Sequence, residues 1–178
     1  MKDATVRDYA DSGLTIQYAM NDHAERFPDS KTRPKFLLWN GLRVWTSDSI
    51  SIPREGVVRA EFLSADRSVR QGFDLKSHDG WFELAGGQRV SLLRTWKDSR
   101  HEDAVEYRFQ SRDGLLWVWN VYEMTYPNGE TVEEKWTENA GFWVESVSDC
   151  ERIYHCSHGM AKPPDFDALV FKVSVTPK

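Results

Sequence analysis

Short apolar runs broken by glycine-bearing polar dipeptides recur along the chain. Inside the runs apolar and polar residues alternate, which is the period of a half-buried β-strand rather than of a helix. Asn40-Gly41, Asp79-Gly80, Gly86-Gly87, Asp113-Gly114 and Asn128-Gly129 separate successive runs, and each accepts the positive φ of a tight strand reversal. They predict hairpins joining KFLLW to LRVW, GFDLKSH to WFELA, WFELA to QRVSLLRTW, AVEYRFQSR to LLWVWNVYEM, and that last run to ETVEEKWTE. Further strands are expected at LTIQYAM, GVVRAEFL, GFWVESV, ERIYHCS and ALVFKVSV, with at most one short helix, over 19–27, before Pro28. The segment GMAKPPDFD reads as a loop, because neither proline can donate to a sheet ladder. The expected fold is all-β, with one domain over 1–178. It is an antiparallel up-and-down meander of about 10–12 strands that forms a barrel or a two-layer sandwich to hide its edges.

The run LLWVWNVYEM, residues 115–124, is apolar on both parities. A two-residue loop at Asp113-Gly114 sets Phe109 opposite Val118 and Val105 opposite Tyr122, so Leu116, Val118, Tyr122 and Met124 form a core face. The other face sets Trp117 against Gln110, Trp119 against Arg108 and Val121 against Glu106, an amphiphilic aromatic surface. Either a second sheet, a loop or the N-terminal segment covers those rings, or they line a ligand lumen or a partner interface. At Asn128-Gly129 a simple two-residue turn puts Trp136 on the tryptophan face with Glu134 and Glu138. Pro127 favours instead a type I turn with a glycine bulge, which sends Val132 and Trp136 to the core face and turns Glu133 and Lys135 outward.

Eight Trp in 178 residues and 13% aromatics supply a generous core, while 29% charged residues and a net charge of −5 favour solubility. There is no apolar run of about 18 residues and no signal-peptide pattern in MKDATVRDYADSG, so a cytoplasmic, non-membrane protein is expected. Cys150 and Cys156 are expected to be reduced, since six residues of extended strand separate them by roughly 20 Å.

Charge is uneven. From Glu123 to Glu151 there are eight acids and one base, a balance of −7, while the rest of the chain carries 22 bases and 20 acids. On adjacent strands these acids are expected to gather on one flank that attracts a basic protein and disfavours nucleic acid. The aromatic anchors would be Trp117, Trp119, Trp136 and Trp143. Glu133, Glu134 and Glu138 would be the electrostatic guide, with Arg108 orienting the rings.

Candidate chemistry is sparse. Cys156 and His158 share a strand face about 7 Å apart, so a metal would need further ligands, for which His101, Glu102 and Asp103 offer themselves. Phosphate loops, dinucleotide fingerprints and nucleophile elbows are absent from the sequence. No catalytic residue and no cofactor is therefore assigned. An isomerase or lyase cavity using Glu106 and Arg108 remains a third reading.

The meander with inward aromatics resembles the calycin barrels, lipocalins and their cytoplasmic relatives. The lipocalin Gly-x-Trp motif is not matched, Gly41-Leu42-Arg43-Val44-Trp45 being spaced differently. That resemblance implies a barrel carrying a small hydrophobic ligand. The stretch KPPDFDALVFKVSV, residues 162–175, with the acidic middle and small format of the chain, resembles the bacterial immunity proteins that neutralise polymorphic toxins. That second resemblance implies a non-enzymatic, cytoplasmic protein whose acidic, aromatic surface occludes a basic toxin domain.

Overall fold

The computed structural model describes residues 5–99 and 102–178, and among them one α-helix and fourteen strands. Helix α1 is Ile16–Arg26. The strands are β1 Leu37–Trp39, β2 Leu42–Val44, β3 Asp48–Ser51, β4 Glu55–Ala65, β5 Gln71–Lys76, β6 Gly80–Glu83, β7 Arg89–Val90, β8 Leu92–Trp96, β9 Ala104–Ser111, β10 Leu115–Thr125, β11 Thr131–Glu134, β12 Gly141–Ser148, β13 Glu151–Ser157 and β14 Leu169–Pro177. Every strand-to-strand pairing within the sheets is antiparallel.

The all-β expectation holds, in its sandwich form. A seven-stranded sheet runs β12-β13-β14-β4-β9-β6-β7, and a five-stranded sheet runs β11-β10-β5-β8 with β3 added on β10. Aromatic rings join the two layers. Phe73 of β5 stacks on Phe171 of β14 at 4.5 Å between centroids and lies 5.0 Å from Phe62 of β4. Leu75, Leu93, Leu116 and Val118 complete the inner face of the smaller sheet, all of them buried. The space that would be a barrel lumen is thus filled by side chains.

The helix replaces the strand expected at LTIQYAM. Ile16, Ala19 and His23 recur on one face and bury it against Tyr9, Leu37 and Trp39. Thr15 caps the first turn, and Asn139 Oδ1 and the Glu138 carbonyl accept the next two backbone N–H groups, from Ile16 and Gln17. Those distant acceptors stabilise a helix start that local pattern disguised as alternation.

Two of the five turn dipeptides are not hairpins. Gly80 begins β6 in the larger sheet while β5 lies in the smaller one, and Asp113-Gly114 joins β9 of the larger sheet to β10 of the smaller. A type I′ hairpin needs positive φ at both central residues, but here only Gly114, at 66°, has it. Asp113 Oδ1 instead accepts from the Ser111 hydroxyl at 2.8 Å and the Leu115 N–H at 3.1 Å, holding an open corner that turns the chain between layers. The QRVSLLRTW run likewise splits at Ser91, β7 pairing with β6 and β8 with β5.

The β9–β10 register is therefore corrected. Arg108 pairs with Val57 and Glu83, Glu106 with Arg59, and Trp119 with Asp74. The facing of β10 survives the correction, because Leu116 and Val118 point inward and Trp117 and Trp119 outward whichever strand lies alongside. The Asn128-Gly129 hairpin takes the bulged register, Met124 opposite Val132, with Gly129 at φ 84°.

The interior makes a testable statement about alkali. Burial pushes the Cys156 thiol and the Tyr154 phenol well up, the latter helped by its hydrogen bond to Asp48 at 2.8 Å. Both stay neutral in the folded state while the unfolded chain ionises. Their contribution is full below the unfolded values, about 9 for the thiol and about 10 for the phenol, and is lost as pH rises from there through the higher folded ones. The thermal midpoint is expected to fall steadily above about pH 9; a midpoint constant from pH 8 to 11 contradicts this.

Candidate functional site

The outer face of the five-stranded sheet is built in rows. Opposed residues of an antiparallel ladder share a face, so Trp117, Lys76 and Leu92 form one row, Trp119, Asp74 and Arg94 the next, and Val121, Gly72 and Trp96 the third. A carboxylate anchors the middle row. Asp74 is 0% exposed, receives Arg94 Nε and Nη2 at 2.8 Å each, and receives the Trp119 indole N–H at 2.8 Å. A buried charge needs this fork-and-donor arrangement to offset its lost hydration.

The loop after β11 covers part of this face. Its backbone is strained: Trp136 has φ 60° and Glu138 φ 50°, in the left-handed region that bulky residues avoid. Neighbouring elements hold it. The Thr137 hydroxyl bonds the Tyr122 hydroxyl at 2.7 Å, Gln17 exchanges two bonds with the Glu138 backbone, and Asn139 Nδ2 donates to the Ala161 carbonyl at 2.7 Å. Held so, the Trp136 ring stands edge-on to Trp119 at 5.2 Å and remains 41% exposed, with Lys135 Nζ 4.6 Å from one ring and 5.2 Å from the other.

Between this loop and the sheet opens a depression of about 380 Å³. Trp117, Trp119 and Trp136 wall it, with Lys76, Lys135, His78 and Leu92, and no carboxylate lines it. His78 meets Trp117 edge-to-face at 5.6 Å and also lines a second depression, which holds Trp81 and Arg112.

The structure thus gathers Trp117, Trp119 and Trp136. Trp136 does not join the core face, because β11 ends at Glu134. Trp143 and Arg108 lie elsewhere: both belong to the seven-stranded sheet, Trp143 stacked on His155 at 3.9 Å and Arg108 beside Glu83 at 3.9 Å. Glu106 and Arg108, proposed for a cavity, are exposed on that sheet at 59% and 61%.

The acids expected on one flank are divided between the two sheets. Glu133 binds Arg94 at 2.6 Å, Glu123 binds Arg70 at 3.2 Å, Glu134 accepts from Thr137, and Glu138 serves the helix start. Glu145 and Glu151 sit on β12 and β13 of the other sheet. Two of the acids that composition grouped together, Glu123 and Glu133, are paired with arginines distant in sequence.

Cys156 is buried in the core, and both cysteines are free. Burial lowers the pKa of His158, whose Nδ1 accepts from the Met160 N–H at 3.1 Å. Among the described residues no cluster has the makings of a metal site, and His101 lies outside them. No described helix is long and apolar enough to cross a membrane. Sequence reasoning missed Lys76, His78, Leu92 and Asp74, which only the β5–β8 and β5–β10 pairings bring to this face.

Comparison of the chain with protein-family models, with curated proteins and with solved structures gives no match.

Proposed function

We propose that the protein is a non-enzymatic binding module that docks a partner protein on the outer face of its five-stranded sheet. The observation that carries this reading is Trp136: a bulky residue held at positive φ by a pinned loop, with its indole left at the surface beside two further tryptophans. Strain of that kind costs of order 1–3 kcal/mol and persists where surrounding structure enforces it, commonly at binding sites. Trp136 is exposed and Trp117 half-buried, while Trp119 is buried beneath them as the floor of the depression; tryptophans so presented are among the residues that dominate protein interfaces. An immunity protein occluding a toxin is one instance of such a module. The stretch behind that resemblance, however, supplies the loop before β14 and the buried strand itself, which accounts for its apolar pattern.

Trp136→Gly separates docking from folding. Glycine accepts φ 60° freely, so relief of strain offsets the lost ring contact, and stability is expected to stay within about 1 kcal/mol of wild type. Affinity for a partner co-purified from the native source is expected to drop by about 2 kcal/mol, some 30-fold. Trp143→Ala, on the other sheet, is expected to leave that affinity unchanged. Equal effects of the two substitutions, measured by calorimetry, argue against this face as the interface.

A further inference from the structure

The docking face has the opposite charge from the chain as a whole. The protein carries a net charge of −5, yet the tryptophan depression is lined by Lys76, Lys135 and His78 with no carboxylate. The Lys135 ammonium lies beside the Trp119 and Trp136 rings, and among the described residues neither Lys135 nor Lys76 has an ion pair or a side-chain hydrogen bond. The nearby acids are already engaged, Asp74 and Glu133 with Arg94, and Glu123 with Arg70. Cations left without counter-charges beside apolar walls are complementary to an anion that carries an apolar group.

The shape points to a chain segment rather than a compact ligand. The depression of about 380 Å³ shares His78 with a second of about 320 Å³, which is lined by Trp81, Asp79 and the exposed Arg112, the last two 3.9 Å apart. The exposed Leu92 and Trp136, at 40% and 41%, offer purchase to a bulky apolar side chain between the cations.

Deepening the docking reading, and resting on it, we infer that the partner presents an acidic segment, with a large apolar or aromatic side chain seated among Trp117, Trp119 and Trp136 and flanking carboxylates paired with Lys76 and Lys135.

The test selects a displayed library of random dodecapeptides on the intact protein, then measures synthetic versions of the enriched peptides by calorimetry. Thermal unfolding of every variant checks that it is folded. Acid-rich peptides bearing a Trp, Phe or Leu are expected to emerge. Their affinity is expected to fall at least 10-fold for Lys76→Glu or Lys135→Glu, to fall likewise for Trp136→Gly, and to weaken as salt rises. Basic or neutral peptides that still depend on Trp136 overturn the acidic assignment and leave the docking face standing. Enriched peptides indifferent to Trp136→Gly, or no enrichment, overturn both. A dT12 oligonucleotide that binds the face more tightly than any enriched peptide also overturns the acidic-segment assignment, since interleaved rings and cations suit single strands too.

Discussion

Replacing Arg94 by alanine is expected to destabilise the protein by about 3–5 kcal/mol at neutral pH. The guanidinium supplies two of the three hydrogen bonds that Asp74 receives, and Asp74 has no access to water. Without Arg94 the buried carboxylate keeps only the hydrogen bond from the Trp119 indole. Asp74→Asn in the Arg94→Ala background is expected to recover a substantial part of the loss, although alone it is destabilising. Denaturant titrations of the two single variants and the double variant measure this coupling. Additive losses contradict it.

Phe73→Ala is expected to cost a further independent 3–5 kcal/mol, because a fully buried ring that touches strands of both layers is removed and the sheets cannot close over the gap. For a chain of this size that corresponds to a fall of roughly 6–20 °C in Tm. Phe73→Leu keeps most of the volume and is expected to cost less than half as much. Calorimetric unfolding distinguishes the two. Equal losses would mean that stacking geometry rather than filled volume holds the layers together.

What the sequence revealed depended on how far each physical cause reaches along the chain. The inward Leu116 and Val118 and the outward Trp117 and Trp119 were legible because side-chain parity is a property of one strand. The bulge at Gly129 was legible because Pro127 constrains its own turn. The partner of β10 was not, because Asp113-Gly114 has the composition of a hairpin and the geometry of a corner, and nothing local distinguishes them. For the same reason Arg108 was assigned to Trp119 in place of Asp74, and Trp143 was grouped with rings on the other sheet. The positive φ of Trp136 left no trace either, since contacts with Gln17, Tyr122 and Ala161 impose it. The acidic stretch was read correctly as composition, but the arginines that pair with two of its members, Glu133 and Glu123, arrive from β8 and the turn before β5.

The repeated passage of the chain from layer to layer, at seven connections among the described strands, also governs how it can be assembled in time. Neither sheet is a contiguous length of polypeptide, so no early half can zip up by itself, and β14 must slot between β13 and β4, whose residues left the ribosome far earlier. Such interleaving ties the rate to distant encounters, and refolding on the millisecond-to-second scale is expected rather than microseconds. Until residue 177 is made, β4 has an unzipped flank that needs shielding from its neighbours in a crowded cell.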